Sequence, residues 1–171
     1  SGKVGVCEGP SGGGATYIAP GLVEANESSI PILAITTDIG VGSRGRYALT
    51  ELDQSALFRP LTKWNGVIER SEDVPKMLRT AFREMTTGRP GAAHLALPFD
   101  VQNGPVDPAD IWHDEDLGYY PAWPTGPDPT AVAKMVQVLM AARNPVIVCG
   151  GGAILAGAEG GLIRLAEQLE I

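Results

Sequence analysis

The run Pro31-Ile-Leu-Ala-Ile-Thr36 offers no polar residue to water before Thr36. A strand of that composition needs cover on both faces, the situation of a parallel sheet flanked by helices. Val4–Cys7 and Ala92–Leu97 are further apolar runs of strand length. Between them lie stripes at helical spacing. Ala15, Ile18, Ala19, Leu22 and Val23 form one; Val74, Met77, Leu78, Ala81, Phe82 and Met85 form the cleaner second. Strand and helix alternate with no hairpin signal, which predicts an α/β fold: a parallel sheet with helices on both faces. Finer expectations follow. Pro20-Gly21 makes a kink or a weak turn in the first helix, Asp53–Phe58 is a short helix, Val67–Ile68 a short strand and Asp38–Arg46 a loop. Ser71 is the N-cap of the second striped helix, with Glu72 and Asp73 in its first turn.

The composition shifts near Asn103. The proline-rich stretch that follows carries Trp112, Tyr119, Tyr120 and Trp123, too many aromatics for a solvated linker, so it is expected to lie packed along a domain surface. Asp128-Pro129 then caps a helix whose apolar face is Val132, Met135, Val136, Leu139 and Met140. Pro145–Cys149 reads as a strand, Gly150–Gly152 as a turn, and Leu162, Leu165, Ala166 and Leu169 as a last helical stripe. One strand and two helices do not close a sheet, so this second unit reads as the opening of a larger one. The divisions are residues 1–104, a linker over 105–127, and residues 128–171.

A net charge of −7 argues against nucleic acid as the main partner. Cys7 and Cys149 form no CxxC and lie far from either histidine, so they read as buried free thiols in a reducing, cytoplasmic setting. Ser1-Gly2-Lys3 leads straight into a strand with no leader pattern, and no apolar run reaches the length of a membrane span.

The candidate site is the corner Glu8-Gly-Pro-Ser-Gly-Gly-Gly-Ala-Thr16, where a strand meets a glycine cluster and then a helix. Glycines let the backbone turn tightly and approach a ligand, and a helix N-terminus behind them is electropositive. A packing role for the same glycines is equally compatible with the pattern. Gly12-Gly-Gly14 lacks the third glycine of a dinucleotide fingerprint, although Asp38 stands roughly where that fold places its acid.

Ser11-Gly-Gly-Gly-Ala-Thr-Tyr17 followed by Ile30-Pro-Ile-Leu-Ala-Ile-Thr36 resembles the acetolactate synthase-like family of thiamine diphosphate enzymes. Arg59-Pro-Leu-Thr-Lys63, Ser71-Glu-Asp-Val-Pro75, Thr87-Gly-Arg-Pro-Gly91, Pro98-Phe-Asp-Val101 and Asn144-Pro-Val-Ile-Val-Cys-Gly-Gly-Gly152 follow in the family's order. The resemblance implies the back part of a pyrimidine-binding domain, a linker, and the start of a Rossmann-like central domain. It implies a 2-oxo acid substrate, Mg²⁺ with the cofactor, and self-association, because the family's site lies between two subunits. It also implies that Ser11, Gly12, Gly13, Gly14, Tyr17 and Thr50 border the cofactor. The family's catalytic glutamate would precede Ser1 and its metal motif would follow Ile171, so no catalytic or metal residue is expected here and the chain alone is expected to be inactive. In some relatives a loop like Gly150–Gly152 meets a flavin, so FAD is a further expectation of the resemblance.

The sequence departs from the family at Gly13, Tyr17, Thr50 and Thr37-Asp38, where proline, asparagine, glutamine and Gly-Gln are usual. These departures bear on reaction specificity rather than on the cofactor class. Glu8, Glu51 and Asp53 read as surface carboxylates. Arg59 and Lys63 read as partners of ion pairs, or as a lure for a carboxylate substrate. His94 reads as a satisfied buried histidine, and His113 as one residue of an exposed acidic loop. The competing reading is a non-catalytic α/β module that binds a nucleotide or serves in assembly.

Overall fold

The computed structural model describes residues 2–170, which divide into two compact units, one ending at Trp123 and one beginning at Pro124. In the first unit the strands are β1 (Gly5–Gly9), β2 (Ile32–Asp38), β3 (Trp64–Val67) and β4 (Ala93–Pro98). They form one all-parallel sheet in the order β1-β2-β4-β3. The connecting helices are α1 (Gly13–Glu27), α2 (Gln54–Phe58) and α3 (Val74–Thr86), and β4 runs directly into the short α4 (Phe99–Gln102).

Alternation along the strands sorts side chains into two cores. Leu33, Ala93 and Leu95 face α3 and pack with Ala81 and Met85, while Ala34 faces α1 and α2 with Ala15, Leu22 and Phe58. The four residues Ala93, His94, Leu95 and Ala96 have no exposed surface, as a central parallel strand requires. The all-parallel α/β sheet with helices on both faces is the expected fold class.

Local details differ from expectation for identifiable reasons. No turn interrupts α1 at Pro20-Gly21; both lie on its exposed side, opposite the buried Ala15, Leu22 and Ala25. Ser71 does not cap α3. Its hydroxyl donates to Val101 O (2.8 Å), residues Ser71–Asp73 form a 3₁₀ turn, and α3 starts at Val74. The short strand falls a few residues earlier than Val67–Ile68. At α2, Asp53 accepts from Ala56 N (2.9 Å), a true N-cap. Asp53→Ala is therefore expected to cost about 1 kcal/mol in urea unfolding, and Asp53→Asn much less.

The aromatic stretch after Asn103 crosses α3. Arg79 donates to Asp110 O (3.0 Å) and stacks over Trp112 at 4.1 Å, Leu117 is buried, and Ala122 N donates to Thr86 O (3.0 Å). In the second unit, α5 (Pro129–Ala141) is capped by Asp128, whose carboxylate accepts from Thr130 N (2.7 Å). α6 (Gly151–Leu155) and α7 (Glu159–Leu169) follow. Pro145–Cys149 is not a strand, because no neighbouring strand among the described residues completes a ladder with it. Cys149 is exposed rather than buried, and Cys7 is half-buried with its thiol pushed up by burial. Among the described residues no helix is long and apolar enough to cross a membrane.

Candidate functional site

β1 ends at Gly9, the chain turns at Pro10–Gly12, and α1 begins at Gly13. Each glycine of the turn has a different cause. Gly12 sits at φ 61°, ψ −117°, a conformation nearly closed to L side chains. A Cβ there would stand 2.8 Å from Thr50 Cβ. Gly14 lies against the ring of Pro10, leaving no room for a side chain. Gly13 is the exception: a Cβ there would meet nothing within 4 Å. Packing therefore demands the first and third glycines, and the middle one presents bare backbone to open space.

α1 has no side-chain N-cap and no acidic residue in its first turn. Its electropositive end is not neutralised from within. Thr16 donates its hydroxyl back to Gly13 O (2.6 Å), which stiffens the first turn. Across the turn, Ser11 Oγ and Thr50 Oγ1 are 2.8 Å apart. Thr50 holds a left-handed backbone at φ 70°. Ser11, Gly12 and Thr50 are thus one contact group, although 39 residues separate Ser11 from Thr50. Tyr17 stands 86% exposed on α1 and joins none of these hydrogen bonds. The backbone at Gly13 is open, and the Ser11 and Thr50 hydroxyls beside it are bonded to each other.

The neighbouring C-terminal strand ends carry more charge. Asp38 ends β2 nearly buried; its carboxylate accepts from Ile39 N (2.8 Å) and pairs with Arg44 (3.4 Å). Arg44 also reaches Glu69 (3.1 Å). Asp38 and Arg44 border a cavity of about 270 Å³ that also touches Glu51, Gln54 and Val67. Open parallel sheets bind ligands beyond such strand ends.

Beneath the corner lies a buried polar cluster. Thr36 donates its hydroxyl to Gln54 Oε1, and Gln54 Nε2 donates to Thr37 O (2.9 Å). His94 Nε2 lies 2.7 Å from Thr36 Oγ1, and the imidazole stacks on Phe58 with centroids 3.8 Å apart. His94 Nδ1 has no partner among the described residues, so the histidine is only half satisfied, contrary to expectation. Burial pushes its pKa down to about 3.

Glu8 is exposed at the end of β1. Lys63 Nζ donates to Thr87 O (2.7 Å); its pKa is lowered, first by burial. No ion pair of Arg59 or Lys63 occurs among the described residues, so the expected pairing is absent there. His113 is exposed, 4.0 Å from Glu115. No three His, Cys, Asp or Glu side chains converge among the described residues. Sequence reasoning missed Gln54 and the part played by Glu51. Gln54 acts on Thr36 and Thr37, which only the fold brings near, and Glu51 acts on backbone amides three and six residues before it, a local closure that no spacing signal marks.

Residues 1–57, which contain the whole Ser11–Gly12–Thr50 group, match the family described as the thiamine pyrophosphate enzyme N-terminal TPP binding domain. The chain is 40% identical over its full length to a probable acetolactate synthase large subunit of Methanocaldococcus jannaschii, covering 29% of that protein. It is 37% identical over its full length to the acetolactate synthase large subunit of Corynebacterium glutamicum, covering 27% of it. Against the acetolactate synthase isozyme 3 large subunit of Escherichia coli it is 32% identical over its full length, covering 30%. The chain therefore spans less than a third of the length of these curated relatives.

Proposed function

We propose that this chain, homologous along its whole length to acetolactate synthase large subunits, forms the pyrimidine-facing part of a thiamine diphosphate enzyme acting on 2-oxo acids. The observation that carries the reading is Gly12, which admits no side chain, at an uncapped helix N-terminus and braced by Thr50. When bound with Mg²⁺, thiamine diphosphate supplies the carbanion-stabilising chemistry that decarboxylation or carboligation of a 2-oxo acid needs. This chain's own part is binding and orientation. Gly12–Gly14 support the ring face, the Ser11 and Thr50 hydroxyls flank it, and the buried cores behind them keep that wall rigid. The acid that activates the cofactor, the metal ligands and a second subunit are assigned to other parts of the complete protein or its assembly, and Gly150–Gly152 is the loop of this chain that would meet a flavin.

The test is turnover of pyruvate with thiamine diphosphate and Mg²⁺. The complete protein is expected to release carbon dioxide and form acetolactate, and the 171-residue chain alone to do neither. A complete protein that turns over no 2-oxo acid would sink the reading in favour of a non-catalytic module.

A further inference from the structure

Residues 45–51 carry no regular element, yet they hold three left-handed backbones: Gly45 at φ 74°, Tyr47 at φ 55° and Thr50 at φ 70°. Such conformations are unfavourable for tyrosine and worse for a β-branched threonine, so something must hold them. Glu51 does. Its Oε1 accepts from Gly45 N at 2.5 Å and its Oε2 from Ala48 N at 3.0 Å, while Glu51 N donates to Ala48 O at 3.0 Å. A single carboxylate with both oxygens engaged by backbone amides closes the loop on itself, and bonds to an ionised acceptor are the strong kind. One end of the loop is anchored to the sheet through Gln54, two residues beyond Leu52, whose carbonyl accepts from Gln54 N (2.8 Å). The free product of this arrangement is Thr50, pressed against Gly12 and hydrogen-bonded to Ser11.

We propose that Glu51 is a positioning residue for the cofactor corner. It touches neither the glycine turn nor a ring lying on it. It fixes the left-handed Thr50, and Thr50 fixes Ser11 and Gly12. The functional meaning rests on the reading of the corner as a cofactor site; the geometric coupling stands on this chain alone.

The test separates the two. In the full chain, Glu51→Ala and the gentler Glu51→Gln are compared by backbone amide NMR and hydrogen exchange. Exchange at Gly45 and Ala48 is expected to speed at least ten-fold in Glu51→Ala, with Ser11 and Gly12 resonances shifting in step and amides of β4 unchanged. Glu51→Gln, which keeps one acceptor, is expected to fall between. Thr50→Ala should move the Gly12 resonance without loosening Gly45 or Ala48, and adding Glu51→Ala to it should move Gly12 no further. If Gly45 and Ala48 loosen while Ser11 and Gly12 stay in place, Glu51 serves only its own loop and the proposal is overturned. In the complete protein, Glu51→Gln is expected to raise the half-saturating thiamine diphosphate concentration about ten-fold with a smaller change in kcat. A wild-type protein that binds no thiamine diphosphate would remove the cofactor reading while the NMR comparison still decided the coupling.

Discussion

Gly12→Ala is expected to destabilise the first unit by about 3 kcal/mol and to abolish thiamine diphosphate binding by the complete protein. Two independent penalties combine. At φ 61°, ψ −117° an alanine is strained whatever the space around it. Its Cβ would also stand 2.8 Å from Thr50 Cβ and 3.1 Å from Thr50 Cα, and the second of these is backbone that cannot rotate away. Relief requires either the helix start or the Thr50 loop to move. Gly13→Ala is the contrasting case. Nothing lies within 4 Å of its Cβ, and its φ is not in the left-handed region. Removing a glycine from the start of a helix is expected to leave stability equal or to raise it by about 0.5 kcal/mol. Proline is usual at this position in the family the chain resembles, so a methyl there is expected to leave cofactor binding close to normal. Chemical denaturation of both variants, beside cofactor titration of the complete protein, separates the two effects. A stable Gly12→Ala protein that binds the cofactor normally would contradict this account of the corner.

The second large effect is acid lability from His94. Its pKa falls from 6.5 to about 3 because burial disfavours the imidazolium. As pH drops below 6.5, the unfolded chain takes up a proton that the folded chain refuses, so this contribution to stability is lost from 6.5 down to about 3 and is flat outside that window. At about 1.4 kcal/mol per pH unit the full loss approaches roughly 5 kcal/mol. That is a large part of the stability of an ordinary domain. His94→Leu is expected to flatten this window, because Thr36 and Gln54 still satisfy one another. Urea midpoints at pH 7 and pH 4 measure it: the midpoint should fall further for wild type than for the variant. Equal falls would mean that carboxylates elsewhere set the acid limit.

The fold was legible wherever periodicity alone determines structure. The run Pro31–Thr36 announced a doubly covered strand, and the stripe from Val74 to Met85 announced the helix over it. Boundaries failed where a side chain found a better use than the local one. Ser71 is a good N-cap by sequence, but a buried carbonyl thirty residues away, at Val101, holds its hydroxyl. The glycine corner was legible as a place, whereas its bracing was not. Glu51 looks like any exposed carboxylate until the loop folds around it. His94 and Gln54 look unrelated until β4 slides in beside β2 and brings Thr36 between them. Pro145–Cys149 has a strand's composition, but composition supplies no pairing partner.

The strand order β1-β2-β4-β3 also has a temporal meaning. β4 is the last strand of the sheet to leave a ribosome, yet it sits between two strands made before it. β2 and β3 share no ladder with each other and meet only through β4. Until Ala93–Pro98 emerges, the nascent chain holds α1, α2 and α3 with apolar faces and no complete sheet to cover them. Long-range parallel pairing is slow, and exposed apolar surface in the interval invites aggregation. Synthesis rate and chaperone supply near residue 98 should therefore govern the yield of this chain more than any surface property of the finished molecule.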